Sequence, residues 1–345
     1  MKNKMIVLVF LALALFSFVG CSKKVSTNIN QTLYPVQINN KCGFIDKTGK
    51  IVIKPKYEVV GPFNDGLARI RNKNKWGFID KTGQIVIEPK YDSVNSFSEN
   101  LASIVINNKY GYINKSGQLV IKPLFDFAGY FKDGYALAET NKKYGFIDKT
   151  GSFVIKPEYD RAWTFSDGLA SVRIQGKWGF IDKVGNMIIK PIYDNESFNL
   201  RFTEGLACVD INGKYGYIDK TGKIVIAHQF ERAGSFNEGL AWIYENGKYG
   251  YIDKKGEIVI KPQFERVDDF HENLALVGIN SKYGYIDKTG KLIVQPKYDF
   301  ANNFYKGLGG VKANGKWGFI DNIGKIVIEP KFDIACSYDF NPFEP

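Results

Sequence analysis

Near-copies of one short stretch, Lys177 to Lys183 (Lys-Trp-Gly-Phe-Ile-Asp-Lys), recur from one end of the chain to the other. The glycine after the aromatic residue stands at Gly43, Gly77, Gly111, Gly145, Gly179, Gly216, Gly250, Gly284 and Gly318, which makes nine units. Seven of the eight intervals are 34 residues, and the interval from Gly179 to Gly216 is 37, consistent with a three-residue insertion around Ser197 to Arg201. A fixed period of this length restricts the chain to stacked or circular repeat architectures, because each unit is one supersecondary element that needs its neighbours to bury its apolar face.

Turn chemistry makes the units β-structured. Asn212-Gly213, Asn246-Gly247 and Asn314-Gly315 supply the positive φ angles of a two-residue hairpin between the first and second strands. The sequence Asp, Lys, any residue, Gly, as at Asp80 to Gly83, Asp148 to Gly151 and Asp287 to Gly290, predicts a second hairpin, with aspartate opening the turn and glycine in the left-handed position. The third strand alternates, with Ile51, Ile53, Pro55 and Tyr57 on one face and Val52, Lys54 and Lys56 on the other. Pro55, Pro89, Pro123, Pro157, Pro191, Pro262, Pro296 and Pro330 place that strand at a sheet edge, since proline donates no ladder hydrogen bond. A connection containing Phe97, Phe131, Phe165, Phe236, Phe270 or Phe304 leads to the next unit, and the glycines after it, among them Gly66, Gly134 and Gly205, read as conformational; Asn100 and Asn273 stand in for them twice. The expectation is therefore an all-β array of nine three-stranded antiparallel units, open and solenoid-like, with a β-propeller as the alternative.

The boundaries expected are a signal peptide at 1–20, a lipidated Cys21 and tether at 21–32, the repeat domain at 33–333 and a C-terminal cap at 334–345. Lys2 and Lys4 precede the apolar run Met5 to Val19, which is too short for a stable membrane span. Phe18-Val19-Gly20-Cys21 resembles a bacterial lipobox, whose cysteine becomes the acylated first residue of the mature protein. Loss of Lys2 and Lys4 lowers the formal charge from +11 to +9, and an excess of positive charge favours anionic partners. In an exported protein those are lipid headgroups, acidic glycans or acidic proteins rather than nucleic acid. Ser22 is not the aspartate that retains lipoproteins at an inner membrane, which favours the outer membrane or cell surface. Cys42, Cys208 and Cys336 are too few and too irregular for a disulfide framework.

With Lys-Trp-Gly cores at Lys75 to Gly77, Lys177 to Gly179 and Lys316 to Gly318, and an Ile-Lys-Pro-x-Tyr pattern downstream, the chain resembles the bacterial WG (KWG) repeat family from Leu33 to Asp333. The resemblance implies a β-rich repeat in secreted or surface proteins and brings no catalytic residues, cofactor or metal.

The residues themselves define no catalytic constellation. His228 and His271 occupy different repeat positions, and His228 follows Ala227 where the recurrent proline is missing. The repeated aspartates, including Asp46, Asp80, Asp148, Asp182, Asp219 and Asp253, lack the alternating carboxylates of a calcium loop and fit turns instead. Lysines before the aromatic residue, Lys41 through Lys316, and after the turn aspartate, including Lys81, Lys149, Lys183 and Lys220, would form basic stripes that protect strand edges or bind anions. The candidate binding ladder is Trp76, Tyr110, Tyr144, Trp178, Tyr215, Tyr249, Tyr283 and Trp317, with Cys42 in the remaining unit. These rings either pack between units or present a surface. The function expected is that of a monomeric, non-catalytic, lipid-anchored envelope scaffold for a protein partner, or alternatively a module that binds cell-wall or surface glycan through exposed aromatics.

Overall fold

The computed structural model describes residues 31–194 and 200–335, so the expected signal segment, Cys21, Cys336 and most of the tether and insertion lie outside the described residues. Within them the chain folds into nine four-stranded antiparallel sheets. Blade two is representative. An inner strand, Val59–Asn64, pairs with a second strand, Leu67–Asn72, then with a third, Lys75–Asp80, and an outer strand, Ile85–Tyr91. The three strands expected per unit are present, and a fourth lies in what sequence reading takes for a connection. In most blades it is only two residues long, as in Ser93–Val94 or Arg161–Ala162, too short for any periodicity.

Of the two arrangements expected, the closed one holds: the structure is a nine-bladed β-propeller. Strands Tyr34–Ile38, Lys41–Ile45 and Ile51–Tyr57 begin the ring, and their sheet takes its inner strand from Ile334–Ala335 at the other end of the chain. Val36 pairs with Ala335 and Gln37 with Ile334. Pro35 therefore lies inside a paired strand opposite Phe44 rather than interrupting it. Ile334 and Ala335, assigned at sequence level to a terminal cap, complete the first blade instead. The physical reason is that an open array would leave an unpaired edge and an uncovered apolar face at both ends, and closure covers both.

Each hydrophobic core is an interface between blades. Leu67, Phe78, Ile87 and Tyr91 of blade two pack on Val94, Phe97, Ala102, Ile104 and Ile113 of blade three. The joint between blades nine and one is built the same way, from Leu308, Phe319, Ile328 and Phe332 against Tyr34, Val36, Ile45 and Ala335. The phenylalanine after each inner strand meets the aromatic ring of the preceding blade's third strand, with centroids 4.7 Å apart for Phe78 and Phe97 and 4.9 Å for Tyr112 and Phe131. Phe202 fills this place after the insertion, 4.7 Å from Phe180.

The repeated glycine of the third strand has a role that sequence reading leaves unassigned. Between the pairs Phe78–Ile87 and Trp76–Tyr91 the outer strand carries three residues against the one residue Gly77. The outer strand bulges across the face of the third strand there, and a Cβ on Gly77 would sit 2.4 Å from the Ile87 carbonyl oxygen and 2.6 Å from the Pro89 nitrogen. The same crossing recurs at the other eight units, so glycine is required for closeness, not for a special φ angle.

Candidate functional site

The inner-strand edges face the ring axis. Asn237 of blade seven donates to the Asp269 carboxylate of blade eight at 3.2 Å, and Arg201 of blade six is close enough to act on the same carboxylate. Groups two blades apart approach each other only at the narrow edge of a ring. Burial, reinforced by the adjacent Asp268, raises the Asp269 pKa; Asn237, His271 and Arg201 pull it down.

Turns alternate between two rims. On one rim lie the turns between inner and second strands together with those between third and outer strands. In the latter, Asp80 Oδ1 accepts from the Thr82 nitrogen, the Thr82 hydroxyl and the Gln84 nitrogen, which commits the recurrent aspartate to its own turn. Acids of the former reach the next blade: Glu99 accepts from the Gly134 nitrogen and pairs with Lys149 at 2.9 Å, and Glu238 accepts from Asn273 and pairs with Lys288 at 3.1 Å. On the opposite rim, Lys109 pairs with Asp126 at 2.5 Å while the second carboxylate oxygen accepts from the Asn141 nitrogen of the next blade. Lys143 with Asp160 and Gln175, and Lys316 with Asp333 and Asn39, repeat the arrangement, the last across the ring closure. The hydrogen bond from lysine, with help from the backbone amide, lowers the pKa of Asp126, Asp160 and Asp333. Both lysine sets thus contain members neutralised by neighbouring carboxylates, and neither forms a continuous free basic stripe.

The aromatic ladder gathers on this second rim. Trp178 is buried, at 5% exposure, and Trp76, Tyr110, Tyr144, Tyr215, Tyr249, Tyr283 and Trp317 are half-buried. Outside blade six, register places each beside two further positions: the penultimate residue of the second strand and the first residue of the inner strand. Arg161, Arg173 and Trp178 are in line across blade five, Arg232, Tyr244 and Tyr249 across blade seven, and Phe300, Lys312 and Trp317 across blade nine. The rings already touch one another. Centroids lie 5.4 Å apart for Tyr110 and Phe127, 4.7 Å for Tyr244 and Tyr249, and 6.0 Å for the stacked Tyr283 and Phe300. Arg69 and Arg71 cover Trp76 at 5.4 and 5.7 Å. Sequence reading finds the aromatic row and misses the inner-strand residues beside it.

His228 is half-buried, and burial lowers its pKa against the pull of Asp210. It does not meet His271, which lies in the turn after the inner strand of blade eight. Cys42 and Cys208 are buried thiols that donate to the Glu58 and Ala233 carbonyls, and burial pushes the Cys208 thiol up to about 12. Among the described residues, no group of three or more potential metal ligands gathers, and no helix is long and apolar enough to cross a membrane.

Fold and site together define a repeat propeller with an aromatic row along one rim. The chain belongs to the WG containing repeat family, which it matches nine times, at residues 43–76, 76–110, 110–144, 144–178, 178–215, 215–249, 249–283, 283–317 and 317–341. A comparison with curated proteins finds no match. Among solved structures, a eukaryotic initiation factor is similar in fold, at TM-score 0.65 and 12% identity, over 88% of this chain and 96% of that one. BamB from Moraxella catarrhalis aligns at TM-score 0.43 and 12% identity over 76% of this chain and 95% of its own.

Proposed function

We propose that the chain is a non-catalytic interaction protein of the bacterial cell envelope, held at a membrane by acylated Cys21, and that it presents the aromatic-bearing rim of the propeller to a protein partner. One observation carries this reading: on a repetitive molecule, the first inner-strand position of that rim holds aliphatic, aromatic, serine or arginine side chains in different blades. Val59, Ser93, Phe127, Arg161, Arg232, Arg266, Phe300 and Ile334 occupy one equivalent position in the blades other than the sixth. A scaffold needs uniform residues where blades pack and diverse ones where a specific partner is read. Several modest contacts on a rigid rim add together because the first raises the effective concentration of the rest.

The test uses the full chain expressed in a bacterial host, with and without Cys21→Ser, and a photo-crosslinking residue in place of Tyr244. The expected result is membrane-associated wild type, a Cys21→Ser variant released from the membrane, and a discrete protein adduct from position 244. Identical membrane association of both forms removes the anchor. Retention of purified wall glycan that disappears in Trp76→Ala, Trp178→Ala, Trp317→Ala protein, with no protein adduct, would replace the scaffold with a carbohydrate-binding module.

A further inference from the structure

The geometry points to an acidic peptide segment as the element that docks on this rim, gripped by an arc of arginines at the mouth of the ring; this inference rests on the protein-scaffold reading above. Arg161, Arg232 and Arg266 are each the exposed first residue of an inner strand, on blades five, seven and eight. Equivalent positions on blades two, three and four hold Val59, Ser93 and Phe127, and those on blades nine and one hold Phe300 and Ile334. At this position the described blades are therefore uneven: arginine on blades five, seven and eight and an uncharged residue on blades one to four and nine, where Arg71 and Lys312 stand one strand further out.

These cations differ from the lysines of the molecule. The lysines that precede the aromatic residue reach carboxylates, as Lys109 does Asp126. Among the described residues, none of the three guanidinium groups forms an ion pair. Arg161 lies directly across from Arg173, a like-charge pairing in which Arg173 is turned toward the Gly176 carbonyl and Asp160 and Arg161 is left to the solvent side. Arg266 lies across from Gly278, where a Cβ would be 3.1 Å from its own, so the guanidinium stands clear of a cross-strand neighbour and reaches the Tyr283 hydroxyl at 3.3 Å. The carboxylates on neighbouring elements are engaged elsewhere. Glu245 accepts from the Glu231 nitrogen, Glu231 from Asn246, and Glu265 from Ser281. Glu139 sits opposite Phe127 and is engaged by the Tyr144 hydroxyl, on which Arg161 also acts, and Asp210 is buried in blade six.

A peptide fits this chemistry better than a sugar polymer. Tyr110, Tyr144, Tyr249 and Tyr283 of the ladder each lie against another ring, and Phe300, 54% exposed, already has one face on Tyr283. What remains presented is planar guanidinium forks, which match carboxylates bidentately, on a ring narrow enough for one chain segment to meet several of them.

A fluorescein-labelled oligoglutamate peptide serves as the probe, read by anisotropy against the full chain at low and physiological salt. Binding should be salt-sensitive. It should weaken about tenfold in Arg161→Ala, Arg232→Ala, Arg266→Ala protein and stay near wild type in Lys54→Ala, Lys122→Ala, Lys156→Ala protein, which loses the same charge from exposed outer-strand positions. Equal weakening in both variants means diffuse attraction and overturns the proposal, as does absent binding by wild type. Arginine-dependent binding of a polyuronate with none of the peptide would also overturn it. A protein adduct at position 244 together with no peptide binding would leave the scaffold reading standing and remove only this inference.

Discussion

Two glycines in the same blade do different jobs, and a methyl group tells them apart. Gly77 has ordinary φ but touches the crossing outer strand, whereas Gly66 has φ +89° with nothing within 4 Å of its would-be Cβ. Gly77→Ala should therefore cost about 3 kcal/mol or more, since backbone at 2.4 Å has to move. Gly66→Ala should cost only the left-handed penalty, about 1 to 2 kcal/mol. Urea unfolding of the two variants checks this, and equal losses would mean that the crossing is not tight. Turn glycines were legible because Asn-Gly and Asp-x-x-Gly are local signals, and Asn100 and Asn273, at φ +69° and +67°, share the left-handed backbone of the glycines they replace. The crossing at Gly77 was not legible, because it depends on where a strand ten residues later bulges.

Between elements, the carboxylate clamps contribute to the acid response, beside the turn aspartates such as Asp148, Asp219 and Asp287, whose pKa values are also lowered. Asp126, Asp160, Asp299 and Asp333 all have pKa values lowered by lysine hydrogen bonds. A carboxyl whose native pKa lies below its unfolded value contributes stability above the unfolded value, about 4, and loses that contribution as pH falls through the native value. The thermal midpoint should be flat from about pH 7 to 5 and fall below about pH 4. Replacing all four by Asn keeps an acceptor for the next blade's amide at 126, 160 and 333 and should shrink that acid limb, the turn aspartates retaining the rest, while lowering the midpoint at neutral pH only modestly, because exposed pairs contribute little. An unchanged acid limb would place the sensitivity elsewhere. The basic residues of these clamps were visible as a periodic row, but their acidic partners stand 17 residues away in the connection and across a blade boundary. Sequence periodicity alone does not pair them.

At the scale of the whole ring, the two ends of the chain meet in one sheet. Deleting 334–345 removes the Ile334 and Ala335 strand, the Ala335 contribution to the closing core, and with them an inner edge for blade one. Scanning calorimetry should show a single transition for the full chain. The truncated chain should show a lower midpoint and a broader or split transition, because nearest-neighbour coupling is broken at one joint and blades can fray from it. A truncated chain that unfolds as sharply and as late as the full one would mean that the nine blades cohere without closure.

By itself the sequence determined the β class, the nine-fold repeat, the hairpin turns and the apolar rows, all of which are local or strictly periodic. Only the tertiary structure decided that the array closes. Ring closure rests on the angle accumulated from blade to blade and on a two-residue strand, Ile334 and Ala335, that pairs with Gln37 and Val36 at the other end of the chain, for which no local pattern exists. The same holds for the arginine arc. Its members lie in segments that look like loops in the chain and become neighbours only when inner edges converge on an axis.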